Sequence, residues 1–278
     1  MFSCGAWMGR NLPLSLTRGL AGMMGLAYAL MHASRVEGVR RNLQLLNPAI
    51  DNKRSRNLFR EFAKTMADYF HIATRAPDEA VKIIKERAGY EHLETLYQQG
   101  IGALIVTAHL GLFELGGLLM AQSNFPAAVL TLPEPSGDLM AWRAQARQKW
   151  GVETIETGAD KFVFLHIAKR LREGCFVAAL IDRPTSFAPT PVMFPNGTAN
   201  FSTGILLVAA QCGVPVVPTT MVRQDDGFYR AEVFAPIYIE SRGTREETLQ
   251  FYSQKIADTL MPTLCAHPEQ WFQFVPLS

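Results

Sequence analysis

The segment IGALIVTAHLGLFELGG, residues 101–117, decides how this chain folds. Ala103 to Val106 form a short apolar run, fenced by Gly100 and Gly102. Such a run is a buried strand. Leu112–Gln122, which follows, reads as a helix. His109 therefore sits where a buried strand ends, and Glu114 falls in the first turn of the next helix. Open α/β sheets bind ligands at the carboxyl ends of their strands. An imidazole beside a carboxylate at that place can work as a general base with a fixed tautomer.

Strands and helices alternate outward from this segment. Strands are predicted at Ala103–Thr107, Ala127–Thr131, Glu153–Glu156 and Phe176–Ile181. Helices are predicted at Gly137–Trp150, Lys161–Glu173 and Thr203–Cys212. Asp182-Arg183-Pro184 closes the fourth strand, and a proline-rich loop covers Thr185 to Phe194. Val214–Met221 and Phe228–Phe234 flank the turn Asp225-Asp226-Gly227 as a hairpin, and a last helix runs over 244–266. The pattern predicts an α/β fold, a mostly parallel central sheet flanked by helices with an antiparallel edge. Upstream, 36–98 reads as mostly helical and amphipathic, with a stop at Asn47-Pro48. Leu58, Phe59, Phe62, Met66, Tyr69 and Phe70 recur there at helical spacing, and residues 78–98 continue the helical pattern. The organisation predicted is an apolar segment, 1–35, and one domain, 36–278, whose helical part ends at residue 98.

The chain has 278 residues and a formal net charge of +2, so electrostatics give no support to nucleic-acid binding. Cys4, Cys175, Cys212 and Cys265 show neither zinc-ligand nor disulfide spacing, so no metal or cofactor is expected. No phosphate loop, dinucleotide fingerprint or nucleophile elbow is present, which disfavours a covalent serine hydrolase. Gly19 to Ser34 carry no acidic or basic side chain. Three readings stay open for this run: a helix packed on or embedded in a membrane surface, a single span, or a cleaved signal.

Several phrases occur in an order that resembles a known family. They are Arg41-Asn42-Leu43, His109 with Glu114, the strand-end Asp182, Phe201-Ser202-Thr203-Gly204 followed by Gly213-Val214-Pro215, and Pro268-Glu269-Gln270-Trp271-Phe272. Together they resemble the bacterial lipid A late acyltransferases, the lauroyl and myristoyl transferase group of the glycerolipid acyltransferase superfamily. The likeness spans roughly residues 36–276. It implies a glycerolphosphate acyltransferase-like fold on the cytoplasmic face of the inner membrane. It implies an acyl carrier protein or acyl-CoA donor, and a lipid A precursor or related glycolipid as acceptor.

By the same resemblance, His109 removes the proton from the acceptor hydroxyl and Glu114 holds the imidazole. Backbone amides after His109, with Gly111 allowing close approach, would stabilise the oxyanion. Asp182 and Arg183 would meet the acceptor's polar head; Phe194-Pro195-Asn196-Gly197-Thr198 is a second partial match for that role. The group carries an arginine where this chain has Leu132, in Thr131-Leu132-Pro133. Arg143 and Arg147, one helical turn apart, are candidates to replace it. This departure favours an acceptor other than lipid A, such as a specialised lipid or secondary metabolite. Lys169, Arg170 and Arg172, with Arg143, Arg147 and Lys149, are candidates for docking an acidic carrier protein. A different class remains, a catalytically silent membrane-associated lipid-binding protein.

Overall fold

The computed structural model describes residues 2–132, 137–158, 162–183 and 189–277. Four helices come first: α1 (Phe2–Asn11), α2 (Leu14–Met31), α3 (Ala33–Gln44) and α4 (Asn52–Ala73). Asp51 caps α4 by accepting from the Arg54 amide, which satisfies one of the free donors of its first turn. Helix α2 lies along α4. Gly25 presses against the Phe59 carbonyl there, at a distance that leaves no room for a side chain.

The segment after α4 departs in part from the helical pattern expected over 78–98. A short α5 (Pro77–Ala80) and one 3-10 turn give way to strand β1 (Ile84–Ala88), and only α6 (Glu91–Gln98) is helical as expected. The apolar spacing misleads because β1 is an edge strand, with Lys85, Glu86 and Arg87 exposed.

The core elements then follow in alternation. They are β2 (Ala103–Thr107), α7 (Glu114–Gln122), β3 (Ala127–Thr131), α8 (Gly137–Lys149), β4 (Glu153–Glu156), α9 (Val163–Arg172) and β5 (Phe176–Leu180). A hairpin, β6 (Pro189–Phe194) and β7 (Gly197–Ser202), stands where a proline-rich loop was expected; residues 184–188 of that loop lie outside the described ones. Helix α10 (Leu206–Cys212), strands β8 (Val216–Arg223) and β9 (Tyr229–Val233), and α11 (Arg245–Ala266) complete the chain. Thr244 and Glu247 form a reciprocal capping box at the start of α11.

The main sheet has the order β1-β9-β8-β2-β5-β3-β4. Its pairs are parallel except β8 with β9. The antiparallel pair lies one strand inside the edge, because β1 adds alongside β9. Two apolar clusters cover the two faces. Leu104 and Val106 pack with Ile167, Leu206 and Leu260 on one side, and Ala103 and Ile105 with Tyr69, Leu115 and Leu118 on the other. Strand β2, buried on both faces, delivers His109 to the centre of the sheet's carboxyl edge.

Candidate functional site

His109 lies two residues beyond β2, and its side chain keeps 16% exposure. Its ring Nδ1 stands 2.6 Å from Asp182 Oδ1, and its backbone N–H donates to Asp182 Oδ2 at 2.8 Å. Asp182 is fully buried. Its Oδ2 also accepts from Trp271 Nε1 at 2.8 Å and Gln273 Nε2 at 2.5 Å. Burial pushes the Asp182 carboxyl up, but the His109 charge and the donated hydrogen bonds outweigh it and hold the carboxyl below its ordinary range. An ionised Asp182 accepts a hydrogen bond from Nδ1–H, which leaves Nε2 with its lone pair free.

Glu114 does not occupy the place expected for it. It opens α7, but its carboxylate is buried against Arg147, with Nε at 3.0 Å and Nη2 at 2.5 Å. Four intervening residues carry it past the imidazole and onto α8, so Asp182 orients His109 in its stead. Arg147 is likewise buried and does not belong to an exposed basic docking face. On α9, Arg170 is tied to Glu153 and Glu173, and Lys169 pairs with Glu173.

Gly111 adopts φ +56, and a Cβ there would collide with the Met221 carbonyl oxygen. Only glycine fits that approach. Its N–H donates to the Gln270 carbonyl at 2.9 Å, so this amide is already engaged and not open to an oxyanion. Arg183 is clamped to the chain's last segment, donating from Nε to Gln273 Oε1 and from Nη2 to the Phe272 carbonyl. Burial, together with the Arg143 charge, draws its guanidinium below the ordinary value against the pull of Asp182. Ser202 donates to the Arg183 carbonyl. The other partial match, around Asn196, forms the β6–β7 turn and bonds to Gln44 and Leu45.

A cavity of about 870 Å³ opens beside His109. Phe62, Met66 and Tyr69 of α4, Ile105 of β2, Val129 of β3 and Trp150 give it an apolar wall. Arg143, Arg147, Glu114 and Arg183 supply its charged groups, and Leu132 borders it. Among the described residues, no cluster of side chains is arranged to hold a metal ion.

Trp271 and Gln273 carry no role in the sequence reading. Trp271 falls in a phrase, ending at Phe272, that is legible only as part of a resemblance. The structure gives it work: Phe272 N–H bonds the His109 carbonyl, and Leu110 bridges Trp271. Asn42, in the N-terminal phrase, donates to the Gln273 and Val275 carbonyls and accepts from the Leu277 amide. The two distant signatures thus meet under Asp182.

The family model for bacterial lipid A biosynthesis acyltransferases matches residues 2–277. The chain belongs to that family. Among curated proteins it is similar to phosphatidylinositol mannoside acyltransferases. That of Mycolicibacterium smegmatis is 21% identical over 279 residues, covering 99% of this chain and 89% of the relative. That of Mycobacterium tuberculosis is 21% identical over 189 residues, covering 68% of this chain and 58% of the relative. Family membership accounts for the α/β scaffold and for the order of the sequence phrases.

Proposed function

We propose that this chain transfers a fatty acyl group from an acyl thioester to a hydroxyl of a glycolipid at a membrane surface. The observation that carries this reading is the His109–Asp182 pair beside a deep apolar cavity. Nε2 of His109 takes the proton as the acceptor oxygen bonds to the thioester carbonyl carbon. The carbon–sulfur bond then breaks, and the imidazolium returns the proton to the departing thiolate. Asp182 stabilises the charged ring between these steps, and such proton transfer contributes about 10²–10⁴-fold in rate. The first amides of α7, from Glu114 on, have no acceptor within their helix and in this reading would serve the oxyanion. Water attack at the same base would make the thioesterase side reaction.

Arg143 and Arg183 border the cavity and suit an anionic group on the acceptor. The mycobacterial relatives act, by name, on phosphatidylinositol mannosides. Together with Leu132 in place of an arginine, this favours a glycolipid other than a lipid A precursor. The donor is an acyl carrier protein or acyl-CoA.

The membrane reading rests on the N-terminal layer. Residues 1–76 carry eleven Lys and Arg against four Asp and Glu, a balance of +7, while the remainder of the chain holds −5. Helix α2 is long and apolar enough to cross a membrane. Yet its Arg18 donates to the buried Asp68 of α4 and to the Gly227 carbonyl, and Tyr229 also donates to Asp68. These ties favour a helix lying on the domain, with exposed Met23, Met24, Leu30 and Met31 turned to lipid at the cytoplasmic face of the inner membrane.

The test is a transfer assay with acyl carrier protein and CoA thioesters and a panel of lipid A precursor, phosphatidylinositol mannoside and simpler lipids, read by mass spectrometry. An acylated glycolipid formed by the native chain and lost in His109→Ala supports the proposal. Transfer that persists in His109→Ala removes His109 as the base. Folded protein that acylates no panel member favours the silent lipid-binding protein.

A further inference from the structure

Glycine weakens a helix interior, and α7 holds two in succession, Gly116 and Gly117. Backbone conformation does not require either, since neither has a positive φ. Packing does not require them. A Cβ built on Gly116 meets no atom within 4 Å, and one on Gly117 makes ordinary contact with Val152 at 3.6 Å. Both glycines face the cavity, on the same side of the helix as Phe113 and Met120, while Leu115, Leu118 and Leu119 pack into the core. Gly116 also borders a second, smaller recess of about 40 Å³ bounded by Tyr90 and Leu93. That recess shares Ile105, Thr107, Phe113, Met120 and Thr219 with the main cavity.

We propose that Gly116, supported by Gly117, sets the length of acyl chain this site accepts. The helix forgoes two side chains that its own fold would tolerate, and the space they would fill opens onto an apolar cavity that begins at His109. A donor chain whose carbonyl lies at His109 extends along the Phe113–Met120 face. A side chain at Gly116 would project into that path and exclude the chain's far methylenes. This inference rests on the acyl-transfer reading for the identity of the occupant.

The test uses full-length protein and a series of saturated fatty acids from octanoate to stearate, read by thermal shift and by calorimetry. Gly116→Leu should shorten the longest acid bound by about four methylenes, matching the carbons it adds. Gly116→Ala should raise the melting temperature without ligand and shorten the limit by about one. Gly38→Ala, in α3 and away from the cavity, should leave the limit unchanged, which separates helix propensity from cavity filling. An unchanged length limit in folded Gly116→Leu overturns the proposal, as does failure of the native chain to bind any acid. Bound acids with a shifted limit, alongside His109-independent transfer, would sustain the length selection and overturn the catalytic reading.

Discussion

His109 and Asp182 stand 73 positions apart, and 73 is also the offset at which β2 faces β5, from Ala103 opposite Phe176 to Thr107 opposite Leu180. Each partner lies two residues beyond its strand, so their contact continues the parallel register past the sheet's edge. The pair is thus set by the pairing of two largely buried central strands, and the 2.6 Å contact follows from it. Trp271 and Gln273 then lock the carboxylate from the far side.

Removing the indole donor tests that lock. Trp271→Phe should preserve the stacking on Phe194 while deleting one hydrogen bond to a charged group. Such bonds are worth about 1.5–3 kcal/mol, so kcat should fall roughly ten- to hundredfold with KM nearly unchanged. Steady-state kinetics over a donor series would show this. A rise in KM alone would instead mean that Trp271 serves binding.

Glu114 and Arg147 form a buried ion pair on the cavity wall, and their variants should report stability before chemistry. Arg147→Ala strands a buried carboxylate and should cost about 3–5 kcal/mol by urea denaturation. The double variant Glu114→Leu/Arg147→Met should recover most of that loss. The ¹⁵N resonances of the His109 ring should retain the Nδ1–H tautomer in Glu114→Gln. A tautomer change there would return the orienting role to Glu114.

The depressed pKa of Asp182 gives a stability with a defined sign. The ionised carboxylate stabilises the fold above the ordinary aspartate pKa, about 3.9, and this is lost as pH falls through the lower folded value. The stability gap between the native chain and Asp182→Asn should be widest near neutral pH and should narrow in acid. Urea titrations at a series of pH values would measure it, and a gap independent of pH would contradict an ionised Asp182.

Membrane docking through a basic, apolar-faced layer should depend on lipid charge and salt. Sedimentation with phosphatidylglycerol vesicles should exceed that with phosphatidylcholine and weaken as salt rises. Replacing Met23, Met24 and Met31 by Gln should reduce binding to both. Full retention in high salt by that triple variant would point to insertion of another segment.

Much of the scaffold is legible in local pattern. Ala103–Thr107, Ala127–Thr131 and Glu153–Glu156 form strands with the bounds their sequences predict, because short apolar or alternating runs between turn residues leave little alternative. Strand β1 is not legible, since Ile84-Lys85-Glu86-Arg87 gains strand character only by pairing with β9. The β6–β7 hairpin was hidden by Pro189, Pro191 and Pro195, although alternation was present: Thr190, Val192 and Phe194 are buried and their neighbours exposed. At the site, His109 is evident from where its strand ends. Its partner is not, because a spacing of a few residues draws attention to Glu114, whereas Asp182 arrives through strand register. Trp271 and Gln273 act through contacts that no local periodicity encodes.

The most direct test of the account is the transfer rate of Asp182→Asn, measured under saturating acyl thioester with protein shown to be folded. Asparagine keeps the side chain's size but no longer stabilises the protonated ring. The account predicts a fall in kcat of about 10²–10⁴-fold with little change in donor KM. A kcat equal to that of the native chain would contradict it, and with it the assignment of Asp182 as the partner of His109.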